Sequence, residues 1–151
     1  ERLLTHIIPG RKMLLFAALK PEQVRLKALM EEQGLRAALI NSDVSANQRA
    51  AIDAQAQRGE LDVIIASGPT AAVGYNWEMF DIVIFVSIDY MDVNILQAYR
   101  RASRGSRTKT LYVIFMRYEE SCEGRMYQIV TAKSQLANSV DETRKILFFS
   151  L

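Results

Sequence analysis

The residues best suited to chemistry are three donors on one stretch of chain. Gln97, Arg101 and Arg104 lie within Gln97-Ala98-Tyr99-Arg100-Arg101-Ala102-Ser103-Arg104-Gly105. The stretch reads as the end of a helix from about Asp92 to Ser103, and at about 100° per residue the three directions fall within roughly 60° of one another. A guanidinium is permanently charged and planar, and its fork of N–H donors fits two phosphoryl oxygens at once. Placed on a transferring phosphoryl group, such a side chain contributes about 10³ to 10⁵ in rate. A solvated basic helix face has the same composition, so the cluster alone does not decide between the two.

A second unusual stretch is Ser67-Gly68-Pro69-Thr70-Ala71-Ala72-Val73-Gly74-Tyr75-Asn76-Trp77. Small residues let a backbone approach a phosphate, and the Ser67 and Thr70 hydroxyls can donate hydrogen bonds to one. Taken by itself, the stretch is equally a tight surface loop.

Both stretches need a scaffold, and the rest of the chain describes one. Five short apolar runs recur: Met13–Phe16, Ala37–Ile40, Val63–Ala66, Ile82–Val86 and Leu111–Phe115. None alternates polar with apolar residues, so each is expected to be a strand buried on both faces, as in a parallel sheet. Between them lie helix signals. Pro21 opens the first helix and Gly34 follows its end. Ser45-Ala46-Asn47-Gln48 is a capping box for the second, which stops at Gly59. Alternating strands and helices imply right-handed crossovers and a doubly wound α/β fold. In such sheets ligands bind beyond the carboxyl ends of the strands, where both stretches fall.

With 151 residues, half of them hydrophobic, the chain suits one domain with a sizeable core. The net charge of +2 permits nucleic-acid binding without arguing for it. No apolar run approaches the ~20 residues that span a bilayer, so no membrane is expected. The lone Cys122 points to a reducing, intracellular compartment. Glu1 at the start and Ile146-Leu147-Phe148-Phe149 near the end read as the ends of a fragment. Residues 1–12 are expected to be a lead-in connection, 13–117 the lobe, and 118–151 a C-terminal helical extension, with a polar helix from Glu119 to about Ala137.

The two stretches, in this order and each behind an apolar strand, resemble the C-terminal RecA-like lobe of superfamily 2 helicases and translocases, in its Swi/Snf-like branch. Motif VI there has the form Gln-x-x-Gly-Arg-x-x-Arg, matched by Gln97, Arg101 and Arg104, with Ala98 and Ala102 as that branch favours. Motif V has a Ser, small residues and Gly-Leu-Asn-Leu, and Ser67, Gly74 and Asn76 fall on those positions. Met13 to Leu19 looks like the motif IV strand, and Asp43-Val44-Ser45 with Gln48-Arg49 resembles the segment ahead of motif V. There are departures: Arg100 stands for the motif VI Gly, Ser103 for the usual His, and Gly105-Ser106-Arg107 for Ile-Gly-Gln. They point away from nucleosome remodellers and towards a divergent bacterial or phage relative, with a cytoplasmic location, or a nuclear one in a eukaryote.

The resemblance implies an ATP-dependent helicase or translocase in which Arg101 and Arg104 act as arginine fingers on ATP and Gln97 positions them. Gly74 and Asn76 would lie near the nucleotide, and Ser67 and Thr70 on the nucleic-acid backbone, double-stranded DNA being the expected partner. ATP and Mg²⁺ would be held mainly by an N-terminal RecA-like lobe of the same polypeptide. This chain has no Gly-x-x-x-x-Gly-Lys-Ser/Thr loop, and its sole Asp-Glu pair, Asp141-Glu142, follows no apolar strand. Alone it is therefore expected to be inactive. The alternative is a non-catalytic nucleic-acid-binding or scaffold domain that kept the fold.

Other residues invite less. His6 has no triad partner pattern and reads as a surface or interface histidine. Cys122 sits beside Glu119, Glu120 and Glu123, whose charge discourages a thiolate. Trp77 reads as core packing or, alternatively, a lid over a nucleotide. Tyr90 and Tyr99 could stack on a base, though aromatic residues near strand ends are usually core.

Overall fold

The five apolar runs are strands of one sheet in the computed structural model, which describes residues 10–67, 75–87, 110–117 and 144–150, the last segment through its backbone. In chain order they are β1 Met13–Phe16, β2 Ala37–Ile40, β3 Val63–Ala66, β4 Ile82–Phe85 and β5 Leu111–Arg117. A sixth, β6 Arg144–Ser150, follows. The order across the sheet is β2-β3-β1-β4-β5-β6, and every pairing is parallel.

The register explains why the runs lack alternation. Met13 pairs with Val63 on one side and Ile82 on the other, and Phe16 with Ala66 and Phe85. All four residues of β1, β3 and β4 are buried. Burying each such side chain contributes about 1.5 to 3 kcal/mol.

Two helices cover the two faces. The chain moves in one direction along the sheet from β1 to β2 and in the other from β2 to β3, so right-handed crossovers put α1, Lys20–Glu32, and α2, Ala46–Gln57, on opposite sides. Leu26 and Met30 of α1 pack with Met13, Leu15, Val63, Ile65, Ile82 and Ile84. Ala56 of α2 packs with Leu14, Phe16, Ile64, Val83 and Phe85, joined by Trp77 and Phe80. On this second face Phe16, Phe85 and Phe115, neighbours in register, stack in a row with centroids 5.0 and 4.7 Å apart.

The helix boundaries follow the capping chemistry. The Ser45 side chain accepts from the Gln48 amide, and the Gln48 side chain accepts from the Ser45 amide, completing the box. Gly34 and Gly59 close the helices with φ of 76° and 77°, values a β-carbon would strain.

The C-terminal region departs from expectation at its end. Residues 118–143 lie outside the described residues, but Arg144–Ser150 pair with β5 in parallel, from Leu111↔Arg144 to Arg117↔Ser150. A helical extension is therefore wrong for these seven residues. Ile146-Leu147-Phe148-Phe149 is a run like the other five, and such β-branched and aromatic residues suit a place beside β5.

Candidate functional site

The chain leaves β1 towards β2 and leaves β4 towards β5, in opposite directions, so the carboxyl ends of β1 and β4 form the point where an open α/β sheet makes a crevice. Small residues, Ala17 and Ala18, follow β1, and Val86 and Ser87 follow β4. The Val86 amide donates to the Phe16 carbonyl at 2.9 Å, and the Ala18 amide to Ser87 Oγ at 2.8 Å. Ser87 Oγ in turn donates to Glu22 Oε2 at 2.5 Å, fixing the first turn of α1 over this point.

Next to it runs a chain of buried amides. Gln23 and Asn41 are 1 % and 4 % exposed. Gln23 Nε2 donates to the Ala17 carbonyl at 2.8 Å, Asn41 Nδ2 donates to Gln23 Oε1 at 3.1 Å, and Asn41 Oδ1 accepts from the Asp43 amide at 2.9 Å. The Arg49 guanidinium donates to the carbonyls of Val44 and Asn41, each at 2.9 Å. Lys20 and Asp43 close the outer side as an exposed ion pair. A satisfied buried network of this kind rigidifies the turn that carries it.

Of the residues singled out from the sequence, Ser67 and Asn76 are described. Ser67 directly follows β3, and its amide donates to the Ile40 carbonyl at 3.3 Å. Asn76 is exposed, while its carbonyl accepts from Gln57 Nε2 at 2.7 Å. Both belong to the loop that leaves the carboxyl end of β3 and returns along the α2 side, where Trp77 is fully buried. Packing is thus the role of Trp77. Tyr75 stacks on it with centroids 4.8 Å apart, and burial pushes the Tyr75 hydroxyl pKa up. Thr70, Gly74, Gln97, Arg101 and Arg104 lie outside the described residues, as do His6, Tyr90, Tyr99 and Cys122.

The sequence reading did not single out Gln23, Asn41, Glu22 and Ser87. Asn41, a polar residue directly after the apolar Ala37–Ile40, was the available signal. Gln23 and Ser87 carry none, because their partners are distant in sequence.

The amino edge holds a different feature, an open cleft of about 340 Å³ lined by Gly10, Arg11, Asp81, Thr110 and Tyr112. It lies at the opposite end of the strands from Ser67, Ala18 and Ser87. Among the described residues no three His, Cys, Asp or Glu side chains converge as a metal site, and no helix is long and apolar enough to cross a membrane.

The family described as helicase conserved C-terminal domain matches residues 1–106, more than half of the chain. The chain belongs to that family. The matched region takes in both stretches read from the sequence, through Arg104. The fold agrees: the C-terminal part of the Fun30 ATPase domain superposes with a TM-score of 0.74 at 20% identity, over 85% of this chain and 42% of that one. The C-terminal domain of the DEAD-box protein Dbp5 gives 0.71 at 13% identity, over 98% and 79%. Among curated proteins, the mouse (Mus musculus) chromodomain-helicase-DNA-binding protein 1-like is 29% identical over 143 residues, 94% of this chain and 16% of its own. The ATP-dependent RNA helicase DBP3 of Meyerozyma guilliermondii is 24% identical over 134 residues, 89% and 25%. The chain thus spans a quarter or less of these relatives. It is a superfamily 2 helicase C-terminal domain, a RecA-like α/β lobe.

Proposed function

We propose that this helicase C-terminal domain is the second lobe of a nucleic-acid-dependent ATPase, with Arg101 and Arg104 stabilising the charge that develops on the γ-phosphoryl group of ATP and Gln97 positioning them. The observation that carries the reading is the family match, which spans the Ser67–Trp77 loop and the arginine stretch in one stretch of homology. The topology supports it. Ser67 sits at a strand's carboxyl end and Asn76 is exposed where the same loop returns. The connection from β4 to β5 carries the arginines and starts at the crevice edge.

The donor set fits one side of an ATP site. Amide, hydroxyl and guanidinium groups suit phosphate oxygens. ATP, when bound, supplies the scissile phosphoanhydride, with Mg²⁺ held by an N-terminal lobe of the same polypeptide. Here Gly74 and Asn76 are assigned to the nucleotide and Ser67 and Thr70 to the nucleic-acid backbone. The motif resemblance suggests a Swi/Snf-like translocase on double-stranded DNA, and the name of the mouse relative, a DNA-binding helicase, supports DNA as the partner.

In the longer polypeptide, Arg101→Ala and Arg104→Ala should each lower turnover by about 10³ or more with little change in ATP affinity, the mark of a contact made in the transition state. Arg101→Lys should rescue poorly for want of the planar fork. Arg100→Ala is the neighbouring control and should do much less. Steady-state ATPase with saturating duplex DNA, compared with RNA, is the measurement. Parental turnover in both alanine variants would replace this reading with a scaffold domain that lost the chemistry.

A further inference from the structure

The returning end of the Ser67–Trp77 loop is pinned on both sides of Asn76. On one side Trp77 is fully buried against Ala56, Phe80 and the β-sheet, with Tyr75 stacked on it. On the other, the Asn76 carbonyl accepts from Gln57 Nε2 at 2.7 Å. Gln57 is the last residue of α2, where its backbone is firmly placed: Ala56 is 1 % exposed, the Gly59 amide donates to the Ala56 carbonyl at 3.0 Å, and the Glu60 amide to the Gln55 carbonyl at 3.0 Å. Two polar atoms at this junction do not help to hold it. Trp77 Nε1 and Asp53 Oδ1 are buried without a hydrogen-bond partner and so cost desolvation.

We propose that Gln57 is a positioning residue: its side-chain amide fixes the backbone of Asn76, the residue assigned above to the nucleotide. The inference rests on the ATPase reading above. Gln57 itself is exposed, and among the described site residues its bond is to the Asn76 carbonyl. Trp77 burial, not this hydrogen bond, carries the stability of the junction, so losing the bond shifts Asn76 without unfolding anything. A shift of about 1 Å in a group that orients a reacting substrate costs on the order of 10²-fold in rate.

The test uses three variants of the longer polypeptide whose side chains have similar helix propensity, so that α2 itself is undisturbed. Gln57→Leu removes the donor, Gln57→Glu places an acceptor against the carbonyl, and Gln57→Lys restores a donor of similar reach. For each, kcat and KM for ATP are measured at saturating nucleic acid, with a thermal melt and hydrogen–deuterium exchange of the peptide spanning Tyr75 to Phe80.

The expected result is a kcat fall of roughly tenfold for Leu and Glu, with KM and the melt unchanged, faster exchange at the peptide, and recovery in Lys. Parental kcat and exchange in Leu and Glu would overturn the proposal. So would faster exchange with parental kcat, or a Lys variant as impaired as Leu. Arg101→Ala run alongside separates the two ideas. If it leaves turnover intact, the ATPase assignment falls, and the exchange arm alone then decides whether Gln57 holds the loop; unchanged exchange removes that as well. If Arg101→Ala abolishes turnover while the Gln57 variants behave as the parent, only the positioning claim is lost.

Discussion

The two ends of the sheet solve different problems. At the carboxyl ends, small residues and the buried Gln23–Asn41 amides line up with the Ala17 carbonyl and the partly buried Ser87 hydroxyl, flanked by Glu22, Arg49 and the exposed Lys20–Asp43 pair. At the amino ends the side chains are paired ions: Arg36 with Asp62, Arg58 with Glu60 and Arg11 with Asp81. The Gln23 and Asn41 amides at the centre of this network do not titrate, and the charged Glu22 and Arg49 bond to its margin. Surface ion pairs staple the strand starts more weakly and remain open to solvent, salt and acid. The contrast is between an edge held mainly by buried amides and one held by exposed ion pairs.

The largest effect that would sharpen the contrast is at the buried amides. Asn41→Leu removes the donor to the buried Gln23 Oε1 and the acceptor of the part-buried bond from the Asp43 amide, leaving Gln23 Oε1 unpaired inside the protein. It should cost about 2 to 3 kcal/mol in urea denaturation, with no dependence on pH between neutral and mildly acidic conditions. A loss below about 0.5 kcal/mol would mean that the network is decoration and the carboxyl edge is held by the strands alone. A smaller effect is expected at Ser87→Ala, which takes the acceptor from the Ala18 amide and the donor from Glu22, both partly solvated. About 1 kcal/mol should be lost by the same measurement.

The same contrast divides what the sequence made legible. The first five strands and the two described helices could be read because their signals are local: runs such as Val63–Ala66, the box at Ser45–Gln48, and glycines at 34 and 59. The sixth strand carried the same signal in Ile146–Phe149, but its place at the chain's end behind a long polar segment suggested a helical extension instead. The carboxyl-edge network was not legible, since Ser87 meets Ala18 across 69 positions and Asn41 meets Gln23 across 18. Single hydroxyls and amides have no periodicity to betray such partners. Ser67 and Asn76 were found through motif resemblance, and the structure adds how Asn76 is held, by Gln57 across 19 positions.

The smallest effect belongs to the amino edge and separates the edges by their response to acid. Asp62 takes a forked contact from Arg36, with Nη2 at 2.7 Å from Oδ1 and Nε at 2.9 Å from Oδ2, and the Arg36 amide adds a third bond at 3.0 Å. The guanidinium contact, the largest influence, outweighs the partial burial of the carboxyl and lowers its pKa from 3.8 to about 2. A carboxyl with a depressed folded-state pKa stabilises the fold above its unfolded value and loses that contribution as pH falls through the folded one. The Asp62 contribution is therefore complete above about pH 4 and disappears towards pH 2. Asp62 is about a quarter exposed and Arg36 more than half, so solvent screening reduces what the shift alone would suggest to on the order of 1 kcal/mol. Asp62→Asn should lose about that much at pH 7, less in high salt, and the difference from the parent should close as the pH is lowered from about 4 to 2. Asn41→Leu over the same titration should keep a constant difference from the parent. If the Asp62→Asn difference also stays constant, the fork fastens the edge through geometry rather than charge, and the electrostatic half of the contrast fails.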